Sequence, residues 1–421
     1  MMSRRDYQVL ARCIEIVGDN HRGREGEIVL GGVPNMKKSS IKLAVAGFAA
    51  LSLVVAACGG SSSSADTTVA AATPTECVTP TPVKLQLQWF TQAQFAGYYA
   101  ALEEGYYKDM CLDVTILEGA VDITPQTVLA NGEADFAVSW VSKALASREG
   151  GANIVDIAQV FQRSGTLQVS FKDAAIASSA DFKGKKIGNW GYGNEFEIFA
   201  ALTKAGLDPA ADVTLVQQQF DMSGLLAGDI DAAEAMTYNE YAQVLETINP
   251  ATKALYTADD LNVVSYETEG VGMLQDAIWA DGHRLFDTDY NATAVKFVAA
   301  SLMGWAFCRD NAQACTDIVV AKGSKLGATH QLWQMNEVNK LIWPAAAGVG
   351  MIDEAAWTRT VDLSQNAKNL EGGTVLTKAP DAAAHTNEIV TAALALLTEK
   401  GIDINGAAFA PITVTLTEGG N

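Results

Sequence analysis

Residues 84–117, KLQLQWFTQAQFAGYYAALEEGYYKDMCLDVTIL, constrain the fold more than any other stretch. Polar and apolar residues alternate over 84–89, the period of a strand with one wetter face. Residues 90–95 are amide-rich and suit a loop leaving the strand's carboxyl end. Apolar side chains then recur at helical spacing over 95–107, with Gly105 loosening the end. Residues 112–117 predict a second strand. Such a strand–loop–helix–strand unit belongs to an open α/β sheet, where ligands lie just past the carboxyl ends of strands. Trp89, Gln92 and Gln94 stand at that position.

The alternation continues. Strands are predicted over 136–140, 154–161, 166–171, 186–190, 213–216, 231–236 and 263–266. Helices are predicted over 124–131, 141–149, 195–205, 222–227 and 238–247. Strands alternating with helices imply a mainly parallel sheet covered on both faces. A second unit of the same kind opens at 181–184, so two lobes with a cleft between them are expected. Hinges are expected near Val169 and over 266–270. The chain should cross back near 270–274, followed by helices over 292–310, 311–321, 330–341, 353–370 and 386–400. Residues 401–421 offer only a strand-like VTLT. In HQLWQMNEVNKLIWP, Leu332, Met335, Val338 and Ile342 share one helical stripe, which reads as packing.

The 421 residues are 49% apolar and carry a formal charge of −20, which argues against nucleic acid as a partner. Residues 1–35 show no signal-like pattern and read as a misassigned extension ahead of Met36. Lys37 and Lys38 precede an apolar run over 43–57 that ends Val55–Ala56–Ala57–Cys58. Residues 36–57 therefore read as a lipoprotein signal peptide and Cys58 as the lipidated residue. A single membrane-spanning anchor is the rival reading, but the run is short and leaves the Cys unexplained. Residues 58–82 form the lipidated Cys and a Ser-, Ala- and Thr-rich flexible tether, with a reach on the order of 25 Å. Two acyl chains suffice for stable anchoring to a membrane. Four further cysteines suggest two disulfides, Cys77 with Cys111 and Cys308 with Cys315, rather than a metal site.

No catalytic constellation is visible. There is no GxSxG and no HExxH, and GNWGYGN is neither a dinucleotide fingerprint nor a P-loop. His283 reads as a surface loop residue. Neither a metal nor a cofactor is expected. Four strand-to-helix junctions instead bring aromatic and polar residues together: Trp89, Gln92 and Gln94; Ser139 and Trp140; Trp190, Tyr192, Gly193, Asn194 and Glu195; Tyr238, Asn239 and Glu240. Any one aromatic could be core, and either Glu could merely complement a helix dipole. As a group they suit a flat heteroaromatic ligand, which needs aromatic faces and a few polar edge contacts. None of these junctions contains Arg or Lys, which argues against a small anion.

The segment WFTQAQFAGYYAALEEGYY–LDVTIL resembles the solute-binding proteins of ABC importers, in particular the pyrimidine-precursor family related to fungal thiamine-pyrimidine synthase. The resemblance runs over about 83–357, with FKGKKIGNWGYGNE, GDIDAAEAMTYNEY and GVGML as further landmarks. It implies a two-lobed type II periplasmic-binding-protein fold. Lobe 1 would hold 83–168, lobe 2 169–268, and 269–421 would return to lobe 1 with the C-terminal helices. The synthases carry a His at the position of Phe95 and a Cys-rich run near 270–274, and this chain departs from both. The resemblance thus implies a non-enzymatic, extracytoplasmic, lipid-anchored monomer that hands a small molecule to a membrane permease. A thiamine pyrimidine precursor is the first expected ligand and riboflavin the second. Nitrate, taurine or an alkanesulfonate comes third, and a pyrimidine-synthase-like enzyme is the alternative from another class.

Overall fold

The computed structural model describes residues 77–421. The expected extension, the signal peptide, Cys58 and most of the tether lie outside the described residues. The chain first lays down β1 (Thr81–Gln86), β2 (Leu112–Leu117), β3 (Phe136–Ser139) and β4 (Ile154–Gln159). It continues through β5 (Thr166–Phe171), β6 (Lys186–Asn189), β7 (Thr214–Gln217), β8 (Ala233–Met236) and β9 (Leu261–Ser265), then β10 (Ala277–Asp281).

The first sheet has the order β2–β1–β3–β10–β4. Strand β1 is parallel to β2 and β3, and β10 is antiparallel to both β3 and β4. The second lobe repeats this plan. There β6 and β7 are parallel, a parallel bridge joins Ile187 to Ala232 beside β8, and β5 is antiparallel to β8 and β9. Each lobe therefore has four strands running one way and one running against them. The odd strand has a simple origin. Strands β5 and β10 each follow a direct crossing between lobes, so they start at the cleft where the others end.

The crossings are residues 160–165 and 266–276. The expected hinge and boundary at Val169 falls inside β5, where Val169 pairs with Ala233 and Val263. Gln275 fastens the crossings together. Its amide nitrogen donates to Thr166 Oγ1 at 2.6 Å and Ser164 Oγ at 3.2 Å, and its carbonyl accepts from the Gly165 N–H at 2.9 Å. Glu197 reaches across from lobe 2 and accepts the Met273 N–H at 2.6 Å.

Helices α1 (Ala96–Glu103), α2 (Tyr106–Asp109), α3 (Pro125–Ala130) and α4 (Val141–Glu149) belong to the first sheet's connections. Gly105, at φ 78°, splits the single helix expected over 95–107 into α1 and α2. Lobe 2 carries α5 (Phe196–Ala205), α6 (Ser223–Leu226) and α7 (Glu240–Leu245). After β10 come α8 (Thr288–Asp310), α9 (Ala312–Ala321), α10 (Ala328–Ile342), α11 (Glu354–Asn366) and α12 (Glu388–Glu399). Asp287 starts α8 by accepting the Asp289 and Tyr290 N–H groups, a side-chain cap for donors that no helical carbonyl can reach.

Helix α8 lies in the main core, with Phe297, Leu302 and Trp305 fully buried. It meets α1 at unusually close range. A Cβ on Gly304 would stand 1.9 Å from the Gly97 carbonyl oxygen, and one on Gly97 would enter the Trp305 ring. Only glycine allows these backbones to touch. In α10, Met335, Val338, Leu341 and Ile342 are buried, whereas Leu332 is half-buried.

Disulfides join Cys77 to Cys111 and Cys308 to Cys315, with Cα separations of 5.5 and 5.4 Å. Cys77 is thus tied to the first unit and β1 begins at Thr81, so the end of the expected tether is part of the folded lobe. VTLT at 414–417 is not a strand. It runs instead as a strap, with Leu416 against the lobe 2 core and the Gly419 N–H donating to the Glu246 carbonyl.

Candidate functional site

The carboxyl ends of β1, β3, β6 and β8 converge on a cavity of about 380 Å³. Trp89, Gln92, Gln94, Trp140, Trp190, Tyr192, Asn194, Tyr238, Asn239 and Glu240 line it. These come from all four junctions singled out in the sequence. Three candidates stay out of the lining. Ser139 is buried and its carbonyl accepts the Trp279 indole N–H at 3.1 Å. Gly193 supplies a left-handed turn residue, and Glu195 folds back to accept the Gly193 N–H at 2.9 Å. Their work is to hold the loop.

Aromatic faces from both lobes meet here. Trp89 of lobe 1 lies 4.7 Å from Phe220 of lobe 2, and Phe220 stacks within 14° of Trp190 at 6.4 Å. Tyr192 is 66% exposed at the mouth and sits at φ 58° between left-handed Gly191 and Gly193. A bulky side chain in that region is strained, and such strain concentrates at ligand-binding loops.

Sequence reasoning missed Phe220, Gln88, Lys143 and Asp276. Phe220 follows β7 and obeys the same strand-end rule as the residues that were found. Lys143 corrects the expectation of a cleft without cations. It lies one turn into α4, half-buried, 4.7 Å over the Trp140 ring, and its ammonium donates to Asn194 Oδ1 at 2.6 Å. Burial lowers this ammonium to about 8, against the pull of Glu234, Glu195 and Asp276, which favour its charge. Lys143 thus stands among three carboxyl groups.

Glu240 is buried and shifted up to about 7 by that burial, with the Met236 N–H at 3.0 Å opposing the shift. Its other oxygen accepts from Asn239 at 2.8 Å. Asn239 in turn faces His330 of α10 at 3.0 Å, and the His330 ring meets Glu246 at 2.9 Å. Packing of α10 is therefore connected to the lobe 2 wall of the cavity.

The profile described as NMT1/THI5 like matches residues 92–314, which holds three of the four junctions and part of the first. A riboflavin-binding protein, RibY, of Chloroflexus aurantiacus is 26% identical over 328 residues, covering 75% of this chain and 90% of its own length. A formylaminopyrimidine-binding protein of Halalkalibacterium halodurans is 24% identical over 207 residues, 47% of this chain and 63% of its own. Among solved structures, a periplasmic sulfonate-binding protein SsuA from Methylobacillus flagellatus KT superposes with a TM-score of 0.54 at 14% identity. It covers 80% of this chain and 99% of its own, and it shows a shared two-lobed fold.

Proposed function

The chain belongs to the NMT1/THI5-like family, and from that premise we propose that it is the extracytoplasmic solute-binding component of an ABC importer. It would be anchored through lipidated Cys58, act as a monomer, and pass a planar heteroaromatic nutrient to a membrane permease. The observation that carries the reading is the cavity walled by Trp89 from one lobe and by Phe220 and Trp190 from the other. A ligand stacked there touches both lobes and so favours the closed form.

The rim decides between ligands. Gln88, Gln92 and Glu240 offer acceptor oxygens to the cavity, which suits the exocyclic amino or formylamino group of a thiamine pyrimidine precursor. A flavin is the second reading. A volume near 380 Å³ exceeds the needs of one small ring, and the RibY relative aligns over most of its length. Taurine, alkanesulfonates and nitrate fit worst, because Lys143 stands among carboxylates. Phe95, in the place of the synthases' His, is fully buried in the core and offers no proton-transfer group, which supports a binder over an enzyme.

A thermal-shift series on the purified protein tests this. A ligand at a hundredfold over its Kd adds about 2.7 kcal/mol of stability. Hydroxymethylpyrimidine, formylaminopyrimidine or riboflavin should raise Tm, and taurine and nitrate should not. A shift with the anions alone, or with none of the panel, overturns the reading.

A further inference from the structure

Asp276 lies at the end of the return crossing, 2% exposed, and does not itself line the cavity. Three groups that do line it donate to its carboxylate. Gln88 Nε2 reaches Oδ1 at 2.6 Å, Trp140 Nε1 reaches Oδ1 at 2.9 Å, and Gln94 Nε2 reaches Oδ2 at 3.0 Å. An ionised carboxylate accepts only, so each amide must turn its nitrogen inward. The order propagates: Gln94 Oε1 accepts Gln92 Nε2 at 2.7 Å. The carbonyl oxygens of Gln88 and Gln92 are thereby left without a protein donor among the described residues, on side chains that line the cavity.

We propose that Asp276 is a positioning residue that fixes the polarity of the Gln88–Gln92–Gln94 wall, so that the cavity selects ligands presenting N–H or O–H donors at that edge. This rests on the binding function proposed above. The carboxylate sits where its charge is adjustable. Burial shifts it up to about 7, against its three donors and Lys143. The titratable groups packed around it are Lys143 of α4, Tyr98 of α1 and Tyr238 beyond β8. Both phenols are held neutral by burial, so Lys143 is the charge that opposes its protonation. A protonated Asp276 would need an acceptor, and the nearest is an amide turned the other way. Donor selection therefore weakens as pH falls through about 7.

The test uses the full chain, two probes and one spectroscopic signal. The probes are 4-amino-5-hydroxymethyl-2-methylpyrimidine and its analogue lacking the 4-amino group. A site built around a donor rejects the analogue that lacks it. Wild type should prefer the amino compound by about tenfold or more, a difference of roughly 1.4 kcal/mol. Asp276→Asn presents an amide nitrogen to the wall and should shrink that preference toward unity. The Trp140 indole N–H resonance, assigned with Trp140→Phe, should move between pH 6 and 8 in wild type and in Lys143→Met, which lacks the ammonium over the ring, and stay fixed when Asp276→Asn is added to Lys143→Met. Unchanged preference in the variant, or an indole resonance indifferent to pH in wild type, overturns the proposal. If neither probe binds wild type, the pyrimidine reading fails. The indole titration in Lys143→Met, where the ammonium over the ring is gone, then decides the positioning role alone.

Discussion

Lys143 reaches from α4 across the cleft to Asn194 on the loop after β6, so one ammonium bridges the two lobes. Hydrogen bonds to charged groups contribute about 1.5–3 kcal/mol. Part of that is lost here because the side chain keeps some exposure. Lys143→Met should weaken ligand binding about five- to tenfold by removing the bridge, with Tm of the ligand-free protein little changed. Isothermal titration checks it, and an equal loss of Tm would mean a structural role instead. Tyr192 acts at the same scale. Its ring is exposed and its φ is positive, so Tyr192→Gly relieves backbone strain while removing a stacking face. Affinity should fall and Tm should hold or rise, read in one pair of melting curves with and without ligand.

At the scale of elements, the close passage of α1 and α8 leaves no space beside Gly304. Gly304→Ala sets a methyl against the Gly97 carbonyl, which belongs to a buried helix and cannot swing aside. Overpacking of this kind costs about 1–3 kcal/mol. Denaturant titration should show a lower midpoint with an unchanged slope. The elements also mark what the sequence makes readable. Strand-to-helix junctions were legible because strand ends carry aromatic and amide residues in one short run, as in Trp89 to Gln94. Strand β10 was missed. Its five residues, AIWAD, are bounded by no turn signal on the upstream side, and all but Asp281 are buried, so no alternation marks it. Asp276 was invisible for another reason. Its meaning depends on Gln88 and Gln94, which lie 188 and 182 positions away. Lys143 was overlooked because it lies inside a helix, one turn beyond the Ser139–Trp140 junction.

Three buried carboxyls bear on the whole molecule. Glu197 at the crossings, Glu240 in the cavity wall and Asp276 beneath it are each shifted up to about 7 by burial. Raised folded-state values mean that the folded protein holds protons the unfolded chain has released. Their contribution to stability is present below the unfolded values near 4 and is lost as pH rises through 7. Tm should therefore be higher at pH 5.5 than at pH 8, measured by calorimetry in one buffer series. A flat or rising profile over that window would show that the three groups are not buried together in solution. Ligand affinity should move the opposite way, since ionised Asp276 orders the amide wall.

The interleaving of the sheets has a kinetic consequence. Strands β3 and β4 are neighbours in the first sheet only through β10, which arrives 118 positions after the last residue of β4. Until that late strand is inserted, two raw edges stay open and the larger half of the protein is unfinished. Nucleation can begin early, but consolidation has to wait for a distant segment, the situation in which long-range pairing makes refolding slow. A chain with such a gap in its schedule stays loose for longer before its larger sheet closes.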